Sequence, residues 1–214
     1  MPNWCYNNLT ITGDKKNLDR IKFHLEDIEK KDNVSPGVFM ALVGRDQSIE
    51  LNEYEHGGWY QANIDYWGCK WDVSYNESGL DYTDDSITMS FNSAYSPPVP
   101  FIQHLGRLFN VKCELYYEEP SCDFCGKSYF DNENGLTEDD YSYNEGRFVF
   151  DKDNFFESID GDIEYLIESD EDVTFESVKE MFQFITGDED LKTLEEIFND
   201  IKEIYGEETE SSNE

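Results

Sequence analysis

Residues 87–117 read ITMSFNSAYSPPVPFIQHLGRLFNVKCELYY, and this stretch decides the fold. Ile87, Met89 and Phe91 alternate with Thr88, Ser90 and Asn92, the period-2 pattern of a strand with one wet face. Pro97-Pro98 stops that strand, and a short helix is expected from about Val99 to Phe109. Val111, Cys113, Leu115 and Tyr117 then alternate again as a second strand. Two strands around one short helix form half of a split β-α-β unit. Asp84-Asp85 marks the turn before it.

Working toward the N-terminus, Cys5, Leu9 and Ile11 alternate with polar residues and predict a first strand ending at Gly13. Asp14 can cap the helix that follows. Leu18, Ile21, Leu25 and Ile28 recur at helical spacing and give one buried stripe over Asp14–Lys31. Val34 to Tyr66 lacks a clean period and reads as loops and short elements. Trp71–Tyr75 is the weakest strand candidate. The resulting order, β-α-(β)-β-α-β, is the ferredoxin-like one. The expected class is α+β, a ferredoxin-like split βαβ sheet followed by an acidic, mainly helical C-terminal region.

Beyond Pro120 the texture changes. Pro120–Gly146 is turn-rich, with room for a hairpin, and Arg147–Phe150 is a short strand candidate. Three amphipathic helices are expected next. Phe155, Ile159, Ile163 and Leu166 line the first, and Phe175, Val178, Phe182 and Ile185 the second. Leu191, Leu194, Phe198, Ile201 and Tyr205 line the third, which Gly206 should stop. The division expected is 1–130 for the ferredoxin-like domain, 131–206 for the acidic hairpin with its three helices, and 207–214 for a disordered tail.

The chain has 49 acids against 16 bases over 214 residues, a net charge of −33. The excess is uneven: 19 acids face 10 bases before Pro120, and 30 face 6 from there on. Such a field repels nucleic acid and anionic membranes and steers the chain toward basic partners. Aromatics are 15% of the chain, enough to build a core from few positions. MPNWCYNNLT has neither a basic start nor an apolar run, and no stretch approaches a membrane span. A bacterial cytoplasmic location is therefore expected. Five cysteines without regular spacing read as reduced thiols.

Several stretches add up to a resemblance. MPNWCYNNLTITG at the start, WYQANIDYWGCKWDV at Trp59–Val73, AYSPPVP at Ala94–Pro100 and YYEEPSCDFCG at Tyr116–Gly126 follow one another in this order. Together they resemble a family of phage- and plasmid-borne proteins of unknown function with a ferredoxin-like domain, the YubB-like type. The family's usual residues differ at three positions: Cys69 stands in place of Thr, Tyr95 in place of Trp and Ser121 in place of Gly. The resemblance covers roughly Met1–Phe130. It implies a ferredoxin-like sheet and a mobile-element origin, and it supplies no reaction.

Chemistry candidates are few. Cys122-Asp-Phe-Cys125 is a lone CxxC; zinc needs four ligands, and the three histidines are scattered, so Cys122 and Cys125 are weak metal candidates. The family usually lacks both cysteines there. Asp151–Phe155 imitates a calcium loop but places Phe155 where a ligand is needed. No catalytic motif is present, and no enzymatic activity or cofactor is expected. Trp59, Asn63, Trp67, Lys70, Trp71 and Asp72 form a dense aromatic and polar cluster. It reads either as a ligand cleft with stacking walls, enzymatic or not, or as a folded loop whose aromatics fill space. In the last helix, Glu189, Glu195, Glu196, Asp200 and Glu203 lie off the apolar stripe. Acids on one helix face are on the order of 5–6 Å apart, near the spacing of backbone phosphates. The expectation is an interaction protein: an acidic decoy that mimics nucleic acid and inhibits a basic, nucleic-acid-binding host or defence protein. A ligand-binding domain using the Trp59–Asp72 cluster and a self-associating regulatory module are the alternatives.

Overall fold

The computed structural model describes residues 2–30, 37–45, 58–168, 174–175, 177–179 and 191–211. The chain forms two compact units. Unit 1 comprises residues 1–122 and 126–140; unit 2 comprises 123–125 and 141–214.

Unit 1 is built on a six-stranded sheet. Its strands are β1 (Trp4–Thr12), β2 (Gly79–Tyr82), β3 (Ser86–Ala94), β4 (Lys112–Glu119), β5 (Phe124–Asp131) and β6 (Gly135–Tyr141), in the order β2-β3-β1-β4-β5-β6. The first four strands in that order are the antiparallel ferredoxin-like sheet, with β1 at its centre. Register follows the alternation read from the sequence. Leu9 lies between Met89 and Leu115, and Ile11 between Ile87 and Cys113, so the apolar side chains share one face. Helices α1 (Lys15–Lys30) and α4 (Val99–Phe109) bury matching stripes. Leu18, Ile21 and Leu25 on α1 and Phe101, Ile102 and Leu105 on α4 are almost fully enclosed. Pro100 sits in the first turn of α4, where its missing N–H costs nothing, and Asn110 closes the helix in a left-handed conformation.

Three expectations about this unit change. Trp71–Tyr75 is not a strand; the second strand is β2, Gly79–Tyr82, and a 3-10 turn at Tyr75–Glu77 precedes it. Asp72 spends its carboxylate on backbone N–H groups, which holds the Trp71–Val73 backbone out of the sheet. The stretch read as loops and short elements contains, among its described residues, one short helix, α2 (Val38–Leu42), and a full ten-residue helix, α3 (Gly58–Trp67). The hairpin beyond Pro120 is β5–β6, and it extends the sheet beyond β4. The boundary expected at residue 130 therefore falls inside this hairpin, and unit 1 runs on to Asp140. Both outer strands discourage further pairing: β2 has four residues, and β6 exposes Glu138, Asp139 and Asp140.

Unit 2 is helical, with α5 (Tyr143–Phe150), α6 (Lys152–Glu168) and α7 (Leu191–Ser211). The strand expected at Arg147–Phe150 is the end of α5. A short apolar run does not separate strand from helix by period, and here Phe148 turns inward onto Phe155 and Phe156 while Val149 stays exposed. Phe148, Phe155, Ile159, Ile163, Val178, Leu194, Ile197 and Ile201 form one apolar cluster. The C-terminal helices thus have a core of their own. Phe182 and Ile185 lie outside the described residues. Helix α7 continues to Ser211, past Gly206 and into the expected tail.

Candidate functional site

The stretches that carry the family resemblance converge on one end of β1 and β3. A buried polar chain underlies this convergence. The Asn7 side-chain amide donates to Cys5 O at 2.8 Å, Ser93 Oγ at 2.8 Å and Phe91 O at 3.4 Å. Ser93 Oγ donates to Ser96 O at 2.7 Å, and Ser96 Oγ donates to Gly68 O at 2.6 Å. A polar group without water must find such partners or destabilise the fold. Gly68 allows the close passage: its φ is +90°, and a Cβ there would stand 2.5 Å from Pro100 Cδ. The MPNWCYN, WGCKWD and SPP segments are locked together by one hydrogen-bonded frame.

Three members of the expected cluster belong to this frame. Trp67 is buried and its indole N–H donates to Gly44 O at 2.7 Å. Asn63 is buried, donates to Lys70 O at 2.9 Å and accepts from Arg45 at 3.4 Å. Asp72 accepts from the backbone N–H groups of Phe39 at 2.7 Å, Met40 at 3.0 Å and Val73 at 2.7 Å. It caps α2 from 33 residues away in sequence. Burial raises its carboxyl above the ordinary value, and the three N–H bonds pull the other way.

The other three face outward. Trp59 and Trp71 are exposed, and Lys70 is half-buried. The Lys70 ammonium lies 4.6 Å from the Trp71 ring centre, 5.4 Å from Tyr95 and 5.8 Å from Tyr60, distances at which a cation is held by ring faces. Trp4 extends the group, 6.1 Å from Trp71, and Trp59 is 6.1 Å from Tyr60. All five rings are between 38% and 51% exposed. No carboxylate among the described residues pairs with Lys70. Tyr95 reaches its position through a left-handed backbone, φ +75°, fixed by its N–H donating to Asn3 O at 2.9 Å. A side chain that tolerates such a backbone costs stability, a pattern common at functional positions. The result is an aromatic shelf around one ammonium, in place of the enclosed cleft that the residue list suggested. Trp4 and Tyr95 were outside that list because they are remote in sequence, although both stand in the quoted motifs; Tyr60 was passed over beside Trp59 within the stretch itself.

The acidic candidates divide as well. Glu195, Glu196 and Glu203 are exposed on the side of α7 opposite its buried Leu194, Ile197 and Ile201. Asp200 is half-buried and paired with Lys152, so it is not part of that exposed face. Lys202 is exposed beside the glutamates, its ammonium 4.8 Å from the Phe198 ring centre. Glu189 lies outside the described residues. Cys122 is exposed and accepts from the Asn3 amide at 2.8 Å, and Cys125 is buried. The nearby Glu119 carboxylate raises the Cys122 thiol above its ordinary value. Among the described residues no cluster of three His, Cys, Asp or Glu side chains is placed to hold a metal. No described helix is long and apolar enough to cross a membrane.

The sheet order and the two crossing helices define an α+β protein of the ferredoxin-like class. The chain belongs to the family described as the ferredoxin-like domain in Api92-like protein, whose model matches residues 70–179. That match runs well past residue 130, so β5–β6 and helices α5 and α6 are part of the family's domain, contrary to the expectation that the resemblance ends there. Of the acidic C-terminal region, α7 lies outside the match. A solved structure, that of the protein api92 from Yersinia pseudotuberculosis, is similar at 12% identity with a TM-score of 0.49, covering 66% of this chain and 99% of that one. No curated protein matches the chain.

Proposed function

We propose that the chain is an interaction protein, the accessory product of a mobile element, that works by binding another protein through the shelf of Trp4, Trp59, Tyr60, Trp71 and Tyr95. The observation that carries this reading is the rigid frame beneath exposed rings. Isolated exposed aromatics are ordinary, but a contiguous group of them on a fixed support is what binding surfaces use. Trp and Tyr dominate the energetics of such surfaces because they bury large areas at little entropic cost. The test is capture from bacterial lysate by the immobilised full-length chain and by its Trp71→Ala/Tyr95→Ala variant. A protein bound by the first and lost from the second supports the reading. Equal capture by both overturns it.

The acidic decoy is a second reading, favoured by Glu195, Glu196 and Glu203 on one exposed helix face. Its partner is a basic, nucleic-acid-binding protein. Capture through this face should collapse between about 0.1 M and about 1 M salt, as the Debye length contracts from roughly 10 Å to 3 Å. It should also be lost from the Glu195→Lys/Glu196→Lys/Glu203→Lys variant. Salt-indifferent capture, or capture that survives the charge reversal, rules the decoy out.

A further inference from the structure

We infer that the shelf recognises a carboxylate carried by a protein segment with an apolar neighbour, and that Lys70 is the residue that reads it. The inference rests on the binding role proposed for the shelf and names its partner's chemistry. Lys70 sits in a chain with 49 acids, yet no described carboxylate pairs with it. Its ammonium is instead held between the rings of Trp71, Tyr60 and Tyr95, at 4.6–5.8 Å from their centres. Ring faces attract the charge but accept no conventional hydrogen bond, and an ammonium has three N–H donors to satisfy. A partner carboxylate meets that need in a way the rings do not. Beside it, Trp4 and Trp71 offer apolar area to a flanking side chain.

A nucleic acid strand fits less well. Backbone phosphates are neutralised by several cations acting together, and the shelf holds one ammonium, that of Lys70. A single carboxylate needs a single counter-charge, which is what the shelf supplies.

The experiment uses the full chain and three soluble probes: the capped peptide acetyl-Pro-Glu-Phe-amide, its Gln counterpart, and a short single-stranded oligoadenylate. Indole N–H signals of the four tryptophans are followed by NMR. Trp67, whose indole is bonded to Gly44 O, is the internal control. The Glu peptide should move the Trp4 and Trp71 signals and leave Trp67 in place. It should bind about three- to fivefold more tightly than the Gln peptide, the range of an exposed ion pair. Lys70→Met should erase that difference and keep the residual binding of both peptides. Equal binding of the Glu and Gln peptides to the wild-type chain overturns the carboxylate reading and leaves the shelf standing as a docking surface. Stronger shifts with the oligonucleotide overturn the choice of a protein partner. Absence of any shift from all three probes overturns the inference, while the capture comparison with Trp71→Ala/Tyr95→Ala decides the shelf independently.

Discussion

Gly37 and Asp72 should behave as one unit. The Asp72 carboxylate reaches α2 only because residue 37 has no side chain: a Cβ there would stand 2.3 Å from Asp72 Cγ. The backbone of Gly37 is ordinary, φ −65° and ψ 176°, so an alanine would suit it in every other respect. Asp72→Ala leaves the N–H groups of Phe39 and Met40 without their acceptor. An unsatisfied buried donor costs about 1–3 kcal/mol, and loss of a helix cap about 1 kcal/mol. With water reaching part of the helix end, a net loss of about 2–4 kcal/mol is expected. Gly37→Ala should cost nearly as much, because Asp72 must withdraw. In the Asp72→Ala background the same glycine change should be neutral, or stabilise by about 0.4–1 kcal/mol by restricting the unfolded chain. Urea denaturation of the wild type, both single variants and the double variant closes the cycle. A coupling of about 2–4 kcal/mol is expected; additivity to within about 0.5 kcal/mol, the behaviour of independent sites, would refute the reasoning.

Other outcomes follow from the same geometry. At Tyr95 the usual ranking of Gly below Ala should invert: relief of the left-handed backbone at φ +75° favours Tyr95→Gly over Tyr95→Ala by about 1 kcal/mol in a denaturant titration, and the opposite order would remove the strain argument. The folded state holds the Asp72 proton to higher pH than the unfolded chain, because burial raises this carboxyl. Stability from this group is therefore greatest below the ordinary carboxylate range and falls as pH rises through the window up to the raised value. Asp72→Asn should flatten that part of the pH–stability profile, and an unchanged profile would show that Asp72 does not cause it. Burial pushes the Cys5, Cys69 and Cys113 thiols up to about 12, and Cys125 is enclosed, so a disulfide reagent near neutral pH should modify Cys122 first. Glu119→Gln should quicken that reaction by lowering the Cys122 thiol; two or more fast thiols in the folded chain would contradict the burial pattern. Replacing Glu138 and Asp139 with Thr, while keeping Asp140 as the acceptor of the Tyr117 hydroxyl, should leave β6 folded but make the chain associate at high concentration, seen by light scattering; a chain that stays monomeric would show that these charges do not guard the edge.

The sequence exposed those parts of the fold whose periods are complete. β1, β3, β4, α1 and α4 each carry three or more apolar side chains at regular spacing, and the structure places them within a residue or two of expectation. Trp71–Tyr75 misled because the conformation of its first residues is set by a side chain contacting a helix more than 30 residues away, which no local pattern encodes. Arg147–Phe150 misled because four residues are too few to distinguish a period of 2 from one of 3.6. The site was half legible. Lys70 and Trp71 were found by density of aromatic and polar residues, but so were Trp67, Asn63 and Asp72, which turn inward. Composition cannot tell which side of a frame a ring occupies. Tyr95 and Trp4 joined only when β1 and β3 were laid side by side, Trp4 opposite Ala94.

The path of the chain between its two units carries a consequence for inheritance. Asp123–Cys125 belongs with unit 2, where the Tyr143 N–H donates to Asp123 Oδ1 at 3.1 Å, yet Gly126–Asp140 returns to unit 1 before the chain leaves at Tyr141. No single cut in the gene separates the units. A stop codon after residue 140 strands three residues of unit 2 without their neighbours, and one after residue 122 removes two strands of the sheet. Recombination that exchanged either unit would need three crossovers in register within 19 codons, counted from 123 to 141. The two units are therefore interleaved along the chain, in contrast to modules joined by a linker, which follow one another.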